Sequence, residues 1–160
     1  MAVGRIYSIT SNSVAVTGSQ DICEIAPASN KIIKIHGWSV GAVGGTADAG
    51  DAQEELLSVS AIANATATGS GGTTITASPL NQNDAAAGFT AKANNTTKAL
   101  GAATRTFYDS SWNNRSPNEF FFTPETQPAI ANAQVFILRL NTAPADSLSV
   151  SMTVWAEELP

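Results

Sequence analysis

Apolar and polar side chains alternate along much of this chain, and the clearest case lies near its end. In Leu148-Ser149-Val150-Ser151-Met152-Thr153-Val154-Trp155-Ala156-Glu157, five apolar residues (Leu148, Val150, Met152, Val154 and Ala156) fall on one face. Ser149, Ser151, Thr153 and Glu157 fall on the other, with Trp155 as the exception among them. A period of two marks a half-buried strand, because successive Cβ atoms point to opposite sides. Lys31 to Val40 is a second strong prediction, a β-branched run with two partly apolar faces that suits a central strand. Further strands are predicted over Arg5–Thr10, Val14–Thr17 (a second short strand or a continuation of the first), Asp21–Ile25, Glu54–Ala63, Thr73–Ala77, Phe89–Ala93, Thr97–Leu100, Thr104–Tyr108 and Glu119–Thr123, the last closed by Pro124. Gln134–Leu140 is expected to pair with Leu148–Glu157 through the joint at Asn141–Ser147, with Phe136, Leu138 and Leu140 facing the core.

The joints are rich in Gly, Ala, Ser, Thr and Asn. Pro27-Ala28-Ser29-Asn30 reads as a turn, since Pro fixes φ and Asn tolerates left-handed geometry. Gly41–Gly50, Asn64–Gly72 and Trp112–Asn118 read as loops, the second with a flexible tip at Gly69-Ser70-Gly71-Gly72. Asn81–Gly88 reads as a single helical turn, capped by Asn83 or Asp84 and ended by Gly88. No fixed-period repeat stands out. Eight to ten short antiparallel strands with long Gly/Ala/Thr/Asn-rich loops predict an all-β, single-domain β-sandwich of jelly-roll type over residues 1–160.

Composition narrows the function classes. Charged residues make up 13% of the chain, about half the usual share, which suits a surface that sits against other protein as well as an ordinary neutral surface. The net charge of −5 and the scattering of the eight basic residues argue against nucleic acid, which asks for a basic footprint. No stretch approaches the length of an apolar membrane span. Met-Ala-Val-Gly-Arg at the N-terminus lacks the apolar core of a signal peptide, so the expectation is a chain made in a cytoplasm that stays there or leaves in an assembly. Cys23 is the single cysteine and is read as a buried, inert thiol sharing a face with Asp21 and Ile25.

Candidate chemistry is sparse. His36 is the one histidine, and no nucleophile-elbow pattern surrounds any serine, so His36 is read as a strand histidine satisfied by a neighbour. Asp48, Asp51, Glu54 and Glu55 gather four carboxylates in a loop that can offer oxygen ligands to calcium, but their spacing departs from the EF-hand pattern and a solvated acidic loop accounts for them. A hydrolase using that loop with a metal is the enzyme alternative; the reading here is no enzyme and no cofactor. Trp38, Trp112 and Trp155 are candidates for stacking on a sugar, best of all Trp112, with Asn113 and Asn114 beside it in a predicted loop; tryptophans in sandwiches more often pack a core or an interface. Four Asn-Xaa-Ser/Thr matches, at Asn64, Asn94, Asn95 and Asn114, arise by chance in a chain so rich in Asn and Thr.

The order of segments resembles that of small virion proteins of tailed phages. The likeness runs through Val14-Ala15-Val16-Thr17, Gln20-Asp21-Ile22-Cys23-Glu24-Ile25, Lys34-Ile35-His36-Gly37-Trp38 and Gly50-Asp51-Ala52-Gln53-Glu54-Glu55. It continues through Pro79-Leu80-Asn81, Asp84–Phe89, Asn94–Thr97, Ala143–Leu148 and Glu157-Glu158-Leu159, so it spans nearly the whole chain. The resemblance implies a capsid decoration (cement) protein on the outside of a virion, binding the major capsid protein as a homo-oligomer, a trimer by preference, with neither nucleic acid nor membrane as partner. A tail, baseplate or head-fibre component with a host-glycan surface is the alternative it leaves open.

Overall fold

The computed structural model describes residues 4–43, 55–101 and 104–160, with Ser13 by its backbone alone. Among the described residues there are twelve strands: β1 (Arg5–Val16), β2 (Gln20–Ala26), β3 (Ile32–Ala42), β4 (Leu56–Ala65), β5 (Thr73–Ile75), β6 (Ser78–Pro79), β7 (Thr90–Asn95), β8 (Arg105–Asn113), β9 (Asn118–Phe121), β10 (Ala129–Ile130), β11 (Val135–Leu140) and β12 (Leu148–Leu159). One sheet has the order β10-β3-β12-β1-β6, with β9 also on β3; the other has the order β5-β7-β2-β11-β4-β8. All pairings are antiparallel. Without β5, β6, β7 and β10 the sheets are β1-β12-β3-β9 and β2-β11-β4-β8, and the chain changes sheet at β1–β2, β2–β3, β3–β4, β8–β9, β9–β11 and β11–β12. That is the connectivity of a jelly roll, and the predicted all-β sandwich is the observed fold.

β12 shows why the alternation is so clean. Its burial alternates without a break from Leu148 to Leu159, and it lies between β1 and β3 along its length. Leu148, Val150, Met152, Val154 and Ala156 enter the space between the sheets, where they meet Tyr7, Ile9, Ile35, Trp38, Val40 and Phe136 in one apolar core. Each large side chain buried this way stabilises the fold by about 1.5–3 kcal/mol. Trp155 sits on the outer face, as its place in the alternation requires.

Three expectations are corrected, and one left open is decided. Gln134–Leu140 does not pair with Leu148–Glu157: β11 lies between β2 and β4, whereas β12 belongs to the opposite sheet. Residues 141–147 cross between layers, because β1 and β3 offer β12 partners of its own length and β11 is half as long. Arg5–Thr10 and Val14–Thr17 form one strand, kinked by a register shift between Ser11 and Val14. Asn81–Gly88 is a turn and not helix, with the Asn81 carbonyl accepting from Asp84 N at 3.0 Å and its side chain accepting from Asn83 N at 3.2 Å; local Asn bonding outcompetes the helical ladder. Thr97–Leu100 makes only isolated bridges.

Candidate functional site

The centre of the second sheet carries charge where a sandwich ordinarily carries none. Asp21 and Glu24 on β2 are buried, at 0% and 2% exposure. Glu24 faces outward by alternation, and Asp21 joins it there through a bulge. Across β11, Cys23 pairs with Leu138 and Asp21 with Arg139, so two steps of β2 match one of β11. The extra residue turns Asp21 to the side of Glu24, while Ile22, Cys23 and Ile25 join the core. This corrects the expected sharing of one face by Asp21 and Cys23.

Two loops cover that outer face. Residues 66–72 follow β4 and residues 96–101 follow β7. Each is entered through an Asn in left-handed conformation, Asn64 at φ 64° and Asn94 at φ 60°, a geometry Asn accepts more readily than most residues. The loops cross and bond reciprocally: Ser70 N donates to Thr97 O and Thr97 N to Ser70 O, both at 3.0 Å, while Ala67 N donates to Leu100 O at 2.9 Å and Leu100 N returns to Ala67 O at 3.2 Å. Ala99 of the second loop packs with Ile62, Ala65, Val135 and Ile137 in a second apolar cluster.

Each loop is pinned through a single residue held at both ends. Gly69 N donates to Glu24 Oε2 at 2.6 Å, and Gly69 O accepts from Lys92 Nζ at 3.1 Å. Ala99 N donates to Asp21 Oδ2 at 2.6 Å, and Ala99 O accepts from Arg139 Nη2 at 2.8 Å. The charges are paired behind the loops, with Arg139 Nε at 2.6 Å from Asp21 Oδ1 and Lys92 Nζ at 3.9 Å from Glu24 Oε1. Asn95 Nδ2 adds a bond to Glu24 Oε2 at 2.9 Å. Two ion pairs thus clasp two crossed loops to one sheet. Gly69 is required at the crossing, since a Cβ there would lie 2.6 Å from Thr97 O and 2.7 Å from Asn95 Nδ2.

Burial pushes the Glu24 carboxyl above its ordinary range and the Asp21 charge adds to this; the Gly69 N–H, Lys92 and Asn95 pull the other way without cancelling it. A carboxyl raised on folding contributes stability that is complete below the unfolded value, about 4.3, and is lost as pH rises through the folded value. Glu24→Gln keeps an acceptor for Gly69 and Asn95 but does not ionise. The urea midpoint of the variant relative to the wild type is therefore expected to rise from pH 4 to pH 8; a difference that stays constant with pH would contradict this account.

The remaining candidates resolve individually. Cys23 is fully buried, and burial, followed by the charges of Glu24 and Asp21, drives its thiol far above the ordinary range, consistent with an inert group. His36 is satisfied on both sides, Nε2 at 3.2 Å from Glu157 Oε2 and Nδ1 at 3.2 Å from Gln127 Nε2. Asp48, Asp51 and Glu54 lie outside the described residues, while Glu55 accepts from Ala145 N at 2.8 Å. Among the described residues no group of three or more His, Cys, Asp or Glu is placed to hold a metal. Trp112 is 2% exposed and its Nε1 donates to Ser116 O at 2.6 Å, so its ring offers no face for stacking on a sugar. β8 runs on through Asn113, whose Oδ1 accepts from Arg115 N, and Asn114 Oδ1 accepts from Glu55 N, so both tighten the turn into β9.

The clasp went unread in the sequence. Its visible trace is the pattern Ala63-Asn64-Ala65-Thr66, answered by Ala93-Asn94-Asn95-Thr96, which places the same left-handed Asn at the root of each loop. The segment read as a flexible tip, Gly69–Gly72, holds instead one of the two anchor points. No protein-family model, curated protein or solved structure matches the chain.

Proposed function

We propose that the chain is a capsid decoration protein of a tailed phage, which assembles as a homotrimer and binds the outer surface of the major capsid protein lattice. The double clasp supports this reading most directly. The buried carboxylates, Arg139 and Lys92 all engage loop backbone, so the charged cluster stiffens the body. A cement protein needs a stiff body and a charge-poor surface. Many weak contacts on a repeating shell then add by multivalency, and the added interface ties neighbouring capsomers together against internal pressure.

Mass photometry of the purified protein, alone and mixed with empty phage heads, tests the proposal. The expected result is a trimer that coats heads in fixed stoichiometry, together with particles that lose DNA at lower temperature when they lack it. A monomer that ignores heads, or equal heat resistance with and without it, overturns the reading.

A further inference from the structure

The outer face of the first sheet is laid out in transverse rows, and the registers define them. Phe121, Gly37, Trp155 and Ser8 form one row across β9, β3, β12 and β1. Glu119, Ser39, Thr153 and Thr10 form the next, roughly 7 Å along the strands. The first row is an aromatic platform: Phe121 is 59% exposed, and its ring centroid lies 5.2 Å from that of Trp155 at an interplanar angle of 35°. Gly37 makes room for it, since a Cβ there would lie 2.7 Å from the Phe121 ring and 2.4 Å from Phe120 O. The second row is made of hydroxyls with a carboxylate at its end. Thr10 Oγ1 and Thr153 Oγ1 are 3.1 Å apart, and Ser39 Oγ donates to Glu119 Oε1 at 2.8 Å. An open groove lined by Thr10, Ser39, Gly41, Ser151 and Thr153 continues from it.

We infer that this face is a binding site for a neutral polysaccharide, with one sugar ring stacked on Phe121 and Trp155 and its hydroxyls reaching the second row. The apolar C–H face of a sugar matches an aromatic plane whose edges remain wet. Its hydroxyls match hydroxyls that keep unused lone pairs and a carboxylate with acceptor capacity left over. Charge selects the class. Glu119 ends the hydroxyl row, whereas Glu157, next to Trp155 on the same face, has His36 at 3.2 Å and Lys34 opposite it on β3. An anionic glycan at the hydroxyl row meets the Glu119 carboxylate and is repelled, while a neutral one supplies the donors that Glu119 accepts. The site is on the opposite sheet from the clasp and stands or falls independently of capsid binding.

A printed array of neutral and anionic oligosaccharides, followed by native gels containing the best neutral polymer, tests the inference. The wild type is expected to bind neutral members only, Phe121→Ala to bind about tenfold more weakly or not at all, and Glu119→Gln to bind measurably more weakly with unchanged far-UV circular dichroism. Leu56→Ser, at an exposed apolar position on β4, is expected to bind as the wild type does. Binding to no neutral glycan, a preference for anionic ones, or full binding by both Phe121→Ala and Glu119→Gln overturns it. So does an oligomer that falls apart in Phe121→Ala with no glycan bound by the wild type, which would make this face a contact between copies of the chain.

Discussion

Asp21→Ala is expected to lower the melting temperature by roughly 10 °C, from a loss of about 3–5 kcal/mol when one partner of a buried ion pair is removed and about 2–4 °C per kcal/mol in a domain of this size. The substitution leaves the Arg139 guanidinium, whose side chain is 15% exposed, without its carboxylate, and it leaves Ala99 N without an acceptor. Hydrogen exchange is the second readout: amides of residues 96–101 should lose protection first, because Asp21 is what holds that loop to the sheet. The double variant Asp21→Leu/Arg139→Leu separates charge from packing. An apolar pair in place of both partners leaves no stranded charge, so it should recover more than half of the loss. A double variant no better than the single one would show that the bond to Ala99 N, and not the ion pair, carries the effect.

Strands were legible wherever one face is buried and the other is wet. β12 is the clearest instance, and β3 was recognised as central from its two apolar faces. What period two does not encode is the partner. Gln134–Leu140 and Leu148–Glu157 are neighbours in sequence with matching patterns, yet they lie in opposite layers, since sheet membership depends on which distant strands compete for each edge. The clasp was hidden for a related reason. Alternation assigned Asp21 to the face of Cys23 and Ile25, and Glu24 to the opposite one. A single bulge opposite Arg139 reverses that assignment, and the loops that cover the charges come from positions far along the chain. The sugar-stacking idea failed at Trp112 because β8 runs on through it and its place opposite Leu57 turns the ring into the core. Trp155 was among the stacking candidates, but its partner Phe121 was not, because it lies within the apolar run Phe120-Phe121-Phe122, which alone does not tell which ring faces out.

That run also carries the second large effect. Trp38→Ala is expected to cost about 3–5 kcal/mol, the usual range for removing a buried aromatic side chain. Trp38 is fully buried, with ring centroids of Tyr108, Phe120 and Phe122 at 4.9, 5.3 and 5.6 Å, and its Nε1 donates to Asn118 Oδ1 at 3.1 Å. Tyr108 belongs to β8 of one sheet and Phe120 to β9 of the other, so the indole ties the layers together at the corner where β9 joins β3. Phe120 faces inward onto Trp38 while Phe121, one residue on, faces out onto Trp155; the buried ring therefore holds the strand that presents the exposed one. Trp38→Ala should lower the melting temperature by roughly 10 °C, deprotect residues 118–121 to exchange, and weaken glycan binding as a secondary consequence. Trp38→Phe should retain most of the stability and the binding, since it keeps an aromatic core and loses chiefly the bond to Asn118. Phe121→Ala should do the opposite, removing binding with a much smaller change in melting temperature. If Phe121→Ala proved as destabilising as Trp38→Ala, the outer ring would be part of the core's support and not a surface kept open for a ligand.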